Sequence, residues 1–209
     1  MPRIDDYINA RNLAVQELCQ ESFEKIAERS GFEPSDGQSL HLPFLDRTYR
    51  VSYPQFAFTD LDDSEKEVPI QEQVLILHYL MAVEIPDLSR QWVSYREIPG
   101  ASFYFGAFVK RAVDPLKNVF GQNIAGFSRA AEKLKARKIE NGDAGFEFRM
   151  LPAVPLQLIL WEGDDEFAPE ANILFDASVG KQLSPEDIAW LASLLVYRLI
   201  ALSKMSKSG

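Results

Sequence analysis

Cysteine and histidine are scarce in this chain of 209 residues. Cys19 is its one cysteine, and His41 and His78 are its two histidines. A single thiol excludes an intrachain disulfide and any zinc or iron–sulfur site built from several cysteines of this chain. The sequence also lacks a Gly-x-Ser-x-Gly elbow and a glycine-rich phosphate loop. These absences argue against catalysis by a serine on such an elbow and against nucleotide binding by a phosphate loop. The single cysteine favours a cytosolic compartment.

Basic residues and long apolar runs are also in short supply. The chain has 22 Lys and Arg against 31 Asp and Glu, which gives a formal net charge of -9. Because this charge repels phosphate backbones, we expect no nucleic-acid partner. His78 and Arg198 interrupt the longest apolar runs, which fall far short of the roughly 20 residues that cross a bilayer. The start of the chain lacks the apolar core of a signal peptide, so we predict a cytoplasmic protein without a membrane segment.

The most basic stretch of the chain is interpreted as the solvated face of a helix, a common role for a cluster of like charges. Its members are Lys133, Lys135, Arg137 and Lys138.

Hydrophobic residues make up 46% of the chain, and three stretches have the spacing of helices. Residues 5–29 carry one apolar stripe, which predicts an amphipathic helix that stops at Gly31. Residues 74–83 are apolar nearly all round, which predicts a central buried helix. Ser184 and Pro185 predict the start of a last helix, because they supply a cap hydroxyl and a proline at the first helical position.

Other stretches alternate as strands do. Residues 40–58 predict a hairpin with its turn at Asp46 and Arg47. Residues 146–149 alternate Phe146 and Phe148 with Glu147 and Arg149, and they pair with a predicted strand from Val154 to Trp161.

Helices and strands are mixed along the chain, which predicts an α+β fold with an antiparallel or mixed sheet packed with helices. No linker rich in Gly, Ser or Pro divides the sequence. We therefore expect a single domain over residues 1–209, with a core at about 5–202 and a frayed tail at 203–209.

Carboxylates are concentrated after the predicted strand that ends at Trp161. Asp164, Asp165 and Glu166 form an acidic turn, and Asp176 follows ten residues after Glu166. Oxygen ligands of this kind suit a divalent cation, with His78 as a further candidate ligand. The alternatives are a solvated turn and a histidine satisfied within the core.

Aromatic residues around a Pro-Gly turn form a second candidate site. Trp92, Tyr95 and Tyr104, with Arg96 among them, are predicted to line a pocket. The alternative is that these rings complete a core.

Six segments of the sequence follow one another in a recognisable order. They are Leu75–Leu80, Trp92–Gly100, Phe120–Gly121, Leu151–Leu156, Asp165–Phe167 and Ile173–Asp176. Together they resemble domain-of-unknown-function family 3786, a group from anaerobic bacteria and archaea, over about residues 10–202.

The resemblance transfers no established catalytic residues to this chain. Some members carry an additional cysteine-rich segment and are labelled putative iron–sulfur proteins, which implies a link to anaerobic redox or corrinoid metabolism. Because this chain has only Cys19, no iron–sulfur cluster is expected from it alone, and no cofactor is evident beyond a possible divalent cation.

We therefore expect a cytosolic binding or accessory module that recognises a protein partner or a small-molecule ligand. One alternative is an enzyme that acts on a small molecule through a carboxylate-bound cation. Another is a structural subunit whose aromatic strip, Trp92 to Phe105, packs against another chain.

Overall fold

Residues 3–205 are described by a computed structural model, in which helices and antiparallel sheets confirm the predicted α+β class. The chain forms two compact units, each defined by contacts among its own residues. The first contains the chain up to Pro86 together with Lys181–Leu183, and the second contains Asp87–Gly180 and the chain from Ser184 onward.

The first unit contains an antiparallel sheet in the order β1-β2-β3-β4. The hairpin between β2 and β3 turns at Leu45 and Asp46, one residue earlier than predicted, with Phe44 opposite Arg47. Leu40 and Leu42 are buried on one face, as alternation requires. The strands are β1 (Glu33–Ser35), β2 (Ser39–Phe44), β3 (Arg47–Ser52) and β4 (Ala57–Asp60).

Three helices complete the first unit. They are α1 (Ile4–Leu18), α2 (Phe23–Ser30) and α3 (Ile70–Met81). The predicted helix over residues 5–29 is therefore two helices, because Ser22 caps a new one by accepting a hydrogen bond from the Lys25 N–H. Gly31 ends α2 in the left-handed conformation, as predicted.

Helix α3 confirms the predicted central buried helix. Half of its residues are buried, including Leu75, Ile76 and Leu77. The helix ends at Met81, and Val83, which the sequence placed inside it, is 91% exposed.

The second unit is built on an antiparallel sheet in the order β5-β9-β8-β7-β6. Its middle strand has the bounds predicted from the sequence, and it pairs with β7 as the predicted hairpin does. The strands are β5 (Trp92–Ser94), β6 (Arg137–Ile139), β7 (Ala144–Leu151), β8 (Val154–Trp161) and β9 (Glu170–Asp176).

The helices of the second unit are α4 (Phe105–Phe108), α5 (Asp114–Phe120), α6 (Ile124–Lys133) and α7 (Pro185–Met205). A π-helical turn, Val109–Val113, joins α4 to α5. As predicted, the Ser184 hydroxyl caps α7 by accepting a hydrogen bond from the Asp187 N–H at 3.2 Å. Helix α7 runs to Met205, inside the predicted frayed tail, and residues 206–209 lie outside the described residues.

The two faces of the second sheet differ in chemistry. One face is apolar and packs against helices: Phe146 meets Phe127 of α6 edge-on, with 5.4 Å between ring centroids. The other face carries a row of polar side chains, since directly opposed residues of antiparallel strands share a face. The row includes Asp176 opposite Trp92 and Glu147 opposite Arg137.

Among residues 3–205, none of the helices combines the length and apolarity that a membrane span requires.

Candidate ligand-binding cleft

A cleft of about 320 Å³ lies along the polar row of the second unit's sheet. This volume is at the lower end of the range for small-molecule sites. Every strand of the sheet contributes one residue, and the segment before β5 contributes two more. The lining residues are Leu88, Arg90, Trp92, Arg137, Glu147, Pro155 and Asp176.

Asp176 anchors one end of the cleft. Its side chain is 1% exposed. It accepts hydrogen bonds from the backbone N–H and hydroxyl of Ser89, the backbone N–H of Arg90, and the backbone N–H and hydroxyl of Ser178, at 2.6 to 3.0 Å. We call this arrangement the Asp176 clamp, because it ties the segment before β5 to the end of β9.

The clamp fixes the charge of Asp176. Burial alone would raise the pKa of its carboxyl, but the hydrogen bonds from Ser178 and Ser89 favour the ionised form and lower the pKa to about 2. Both oxygens are occupied by these donors. Asp176 is therefore a structural anion and is poorly suited to accept a proton near neutral pH.

Arg90 is held in an unusual backbone conformation by the clamp. Its φ angle is 58°, in the left-handed region that costs a non-glycine residue about 1–2 kcal/mol. Its backbone N–H donates to Asp176 Oδ2 at 2.7 Å. Its side chain is exposed, and within residues 3–205 the guanidinium makes no ion pair or hydrogen bond. Arg90 thus brings to the cleft a guanidinium whose N–H donors are free.

The other cation of the cleft is neutralised. Arg137 of β6 donates to Glu147 Oε2 of β7 at 2.5 Å, and Gln157 Nε2 of β8 donates to the same oxygen at 3.2 Å. The Glu147 side chain is 19% exposed and that of Arg137 is 68% exposed. Because the ion pair is mostly solvated on the arginine side, we expect it to contribute little to stability.

Apolar groups form the rest of the cleft. Trp92 is half-buried, and Leu88 and Pro155 lie beside it in the lining. The lining contains no Cys, His, Ser or Lys that could act as a nucleophile. One free guanidinium beside an indole and two aliphatic side chains offers hydrogen-bond donors next to an apolar surface.

The acidic turn lies away from Asp176. Trp161 pairs with Glu170, so the turn joins β8 to the beginning of β9, while Asp176 is at the end of β9. At the usual rise per residue, β9 separates them by about 20 Å. In this structure Asp176 therefore lies too far from Asp164, Asp165 and Glu166 to share one cation with them, because bonds to such a cation are about 2.0–2.6 Å long.

The acidic turn is instead organised by its own backbone. Asp164 Oδ1 accepts hydrogen bonds from the N–H groups of Glu166 at 2.8 Å and Phe167 at 2.7 Å. These bonds, that from Phe167 foremost, lower the pKa of Asp164. Asp165 and Glu166 are exposed, as the alternative of a solvated turn requires.

His78, the remaining predicted ligand, is half-buried in α3 of the first unit. Within residues 3–205, no group of three or more His, Cys, Asp and Glu side chains has an arrangement that could hold a metal ion.

The predicted aromatic pocket is divided. Trp92 lines the cleft, whereas Tyr95 is buried, stacks on Phe108 with 4.3 Å between centroids and donates its hydroxyl to the Pro185 carbonyl. Burial raises the pKa of Tyr95 to about 12. Tyr95 therefore completes a core, which was the alternative interpretation.

Arg96 and Tyr104 also lie outside the lining of the cleft. The Arg96 guanidinium lies over the Phe105 ring at 3.9 Å from its centroid. Tyr104 meets the Phe103 ring edge-on, with 5.1 Å between centroids.

Sequence reasoning missed Arg90 and Arg137. Arg137 was assigned to a solvated helix face, but it lies in β6, where its partner is Glu147 across the strand pair. The alternation of Phe146, Glu147 and Phe148 was the available signal, since it places Glu147 on the polar face. Nothing in the sequence around Arg90 indicates a positive φ angle.

The sequence model of the family described as Domain of unknown function (DUF3786) matches residues 22–198. No curated protein and no solved structure matches the chain.

Proposed function

Because the chain belongs to the family described as Domain of unknown function (DUF3786), whose description assigns no activity, we propose from its own residues that it is a binding module. The ligand is a small molecule, held in the cleft that Arg90, Trp92 and Glu147 help to line. The observation that carries the proposal is the free guanidinium of Arg90, a residue whose backbone a buried clamp fixes at the edge of that cleft.

The cost of placing an arginine at position 90 supports this function. A left-handed residue is favourable as glycine and strained as arginine. Within the described residues, the Arg90 side chain makes no ion pair or hydrogen bond. Strained residues that the surrounding structure over-determines cluster at functional sites. We therefore assign the Arg90 side chain a role in the cleft that it lines rather than in folding.

The protonation chemistry of the lining favours binding over catalysis. A general base or acid works best with a pKa near the operating pH. Asp176 has a pKa of about 2 and uses both oxygens in the clamp. Glu147 Oε2 already accepts from Arg137 and Gln157. The alternative of an enzyme acting on a small molecule through a carboxylate-bound cation has less support, because the acidic turn precedes β9 whereas Asp176 is at the end of that strand.

The alternative of a structural subunit has one feature in its favour. Within the strip from Trp92 to Phe105, Phe103 is 87% exposed and would be covered if the strip packed against another chain. Single exposed apolar side chains are ordinary, so this carries less weight than the cleft.

We further propose a cytosolic location, on the grounds of the single cysteine. The link to anaerobic redox or corrinoid metabolism stays a prediction from the family resemblance.

A fragment screen by ligand-observed NMR tests the function, with the full chain and a variant in which the cleft is filled. Leu88→Trp places a large ring in the lining, and Val119→Trp places one on an exposed site of α5 as the matched control. We expect fragments that bind the wild type and Val119→Trp but not Leu88→Trp. Binding that is equal in all three proteins, or absent from the wild type, would refute the proposal.

A further inference from the structure

We infer that the ligand of the cleft is a small organic monoanion, with a carboxylate group bound by Arg90 and a flat apolar body against Trp92. The inference rests on the proposed function and specifies the ligand's chemical class. It follows from three properties of the lining: its single unpaired guanidinium, its apolar surface and its acidic groups.

The charged residues of the lining favour an anionic ligand. Of the four formally charged residues in the lining, Arg137 and Glu147 form an ion pair, and the two oxygens of the buried Asp176 carboxylate are occupied by the N–H and hydroxyl donors of its clamp. Arg90 alone among them has a charged side-chain group that makes no ion pair or hydrogen bond within the described residues. A guanidinium presents a planar fork that matches the two oxygens of a carboxylate or phosphate. An anionic group is the ligand feature that this cation recognises.

The body of the ligand is set by the apolar residues. Trp92 is the first residue of β5 and lies two residues after Arg90. Both side chains therefore come from one short segment, which is hydrogen-bonded to Asp176. The indole ring, with Leu88 and Pro155, offers an apolar surface beside the cation. Flat rings stack favourably on indole, and a cleft of about 320 Å³ admits only a small body.

The acidic groups limit the charge of the ligand. Glu147 lies in the lining, and the whole chain carries a formal net charge of -9. A polyphosphate would place several negative charges against one free cation in this field. A single negative charge is matched by Arg90, whereas a second would face Glu147. The cleft therefore selects monoanions over multiply charged ligands.

Four probes of similar size test the ligand class: benzoate, phenyl phosphate, benzamide and benzylamine. Binding is followed by titration in two-dimensional NMR, with the Trp92 indole signal assigned from Trp92→Phe. For probes of this size we expect dissociation constants on the order of 1–10 mM. Benzoate should bind at least about tenfold more tightly than the neutral and cationic probes, because its carboxylate pairs with the guanidinium. It should also bind more tightly than phenyl phosphate, which is largely a dianion at neutral pH.

Substitutions at Arg90 locate the preference. Arg90→Gln should remove the preference for anions, and Arg90→Lys should keep part of it, because an ammonium retains the charge without the planar fork. Lys135→Gln removes an equal charge from another left-handed residue outside the cleft and should change nothing. The backbone amide spectrum of each variant is compared with that of the wild type to check that the clamp is intact.

The outcomes separate the inference from the proposed function. Tighter binding of benzoate than of the other three probes supports the inference, and tighter binding of phenyl phosphate refutes the preference for monoanions. If all four probes bind equally and Leu88→Trp abolishes all of them, the cleft is a ligand site but its preference for anions is refuted. If no probe binds, or if Leu88→Trp affects none, the inference and the proposed function both fail.

Discussion

Replacing Arg90 with glycine separates what its backbone does from what its side chain does. The backbone N–H that donates to Asp176 Oδ2 at 2.7 Å is kept, and so is the clamp. Glycine adopts a φ of 58° without the penalty of about 1–2 kcal/mol that arginine bears. The guanidinium is lost. Arg90→Gly should therefore fold as well as the wild type and bind anions poorly.

The change in stability can be estimated from two opposing effects. Relief of the left-handed conformation contributes about 1–2 kcal/mol, and the greater freedom of glycine in the unfolded chain removes about 0.5–1 kcal/mol. The net effect is a gain of about 0.5 kcal/mol in the free energy of unfolding, or about 1–2 °C in Tm for a chain of this size. Urea titration measures it, and the benzoate titration should show at least about a tenfold loss of affinity, worth about 1.4 kcal/mol.

Lys135→Gly is the matched control. Lys135 is also a cation with a positive φ angle, 55°, and its side chain is exposed after the end of α6, outside the cleft. It should gain stability by a similar amount and keep its affinity for benzoate. If Arg90→Gly lost more than about 1 kcal/mol while Lys135→Gly did not, the Arg90 side chain would be supporting the fold, and the reasoning from its free guanidinium would be wrong.

Three further predictions follow from the second unit. Asp176→Asn should lower the free energy of unfolding by about 3 kcal/mol at pH 7, because an amide cannot accept from all donors of the clamp; an unchanged urea midpoint would contradict this. Since the pKa of Asp176 is lowered from 3.8 to about 2, its contribution is present above about pH 4 and should fall by about 2 kcal/mol towards pH 2. Urea titrations across this window should show less acid sensitivity in the variant than in the wild type, and equal sensitivity would count against the clamp. Gly121→Ala should cost about 1–3 kcal/mol, because a Cβ there would lie 2.5 Å from Pro169 Cβ. Gly106→Ala, where a Cβ meets nothing within 4 Å, should be neutral or stabilising, and an equal loss in both would refute the packing argument.

Elements with local signals were the ones that the sequence predicted well. Strand β8 has its predicted bounds, Val154–Trp161, because an apolar run of strand length lies between turn residues. Helix α7 begins where Ser184 and Pro185 indicated, because a cap hydroxyl and a first-turn proline act within a few residues. In residues 5–29 the apolar stripe continued across a break, and the cap at Ser22 was overlooked.

The candidate site was harder to predict because it depends on pairing between distant strands. Asp164 and Asp176 are close in sequence, but the register of β8 against β9 puts them at opposite ends of a strand. Arg137 and Glu147 meet only because β6 pairs with β7. The conformation of Arg90 depends on Asp176, far along the chain, and an arginine carries no local preference for positive φ.

The clamp also bears on how the proposed ligand preference of this chain could change during evolution. Asp176 recognises position 90 through a backbone N–H, which every residue except proline possesses. The side chain at that position can therefore be exchanged by a single codon change while the attachment of the loop is preserved. Selection on the ligand and selection on the fold act on different atoms of the same residue, which makes position 90 a place where new specificities can arise at little cost in stability.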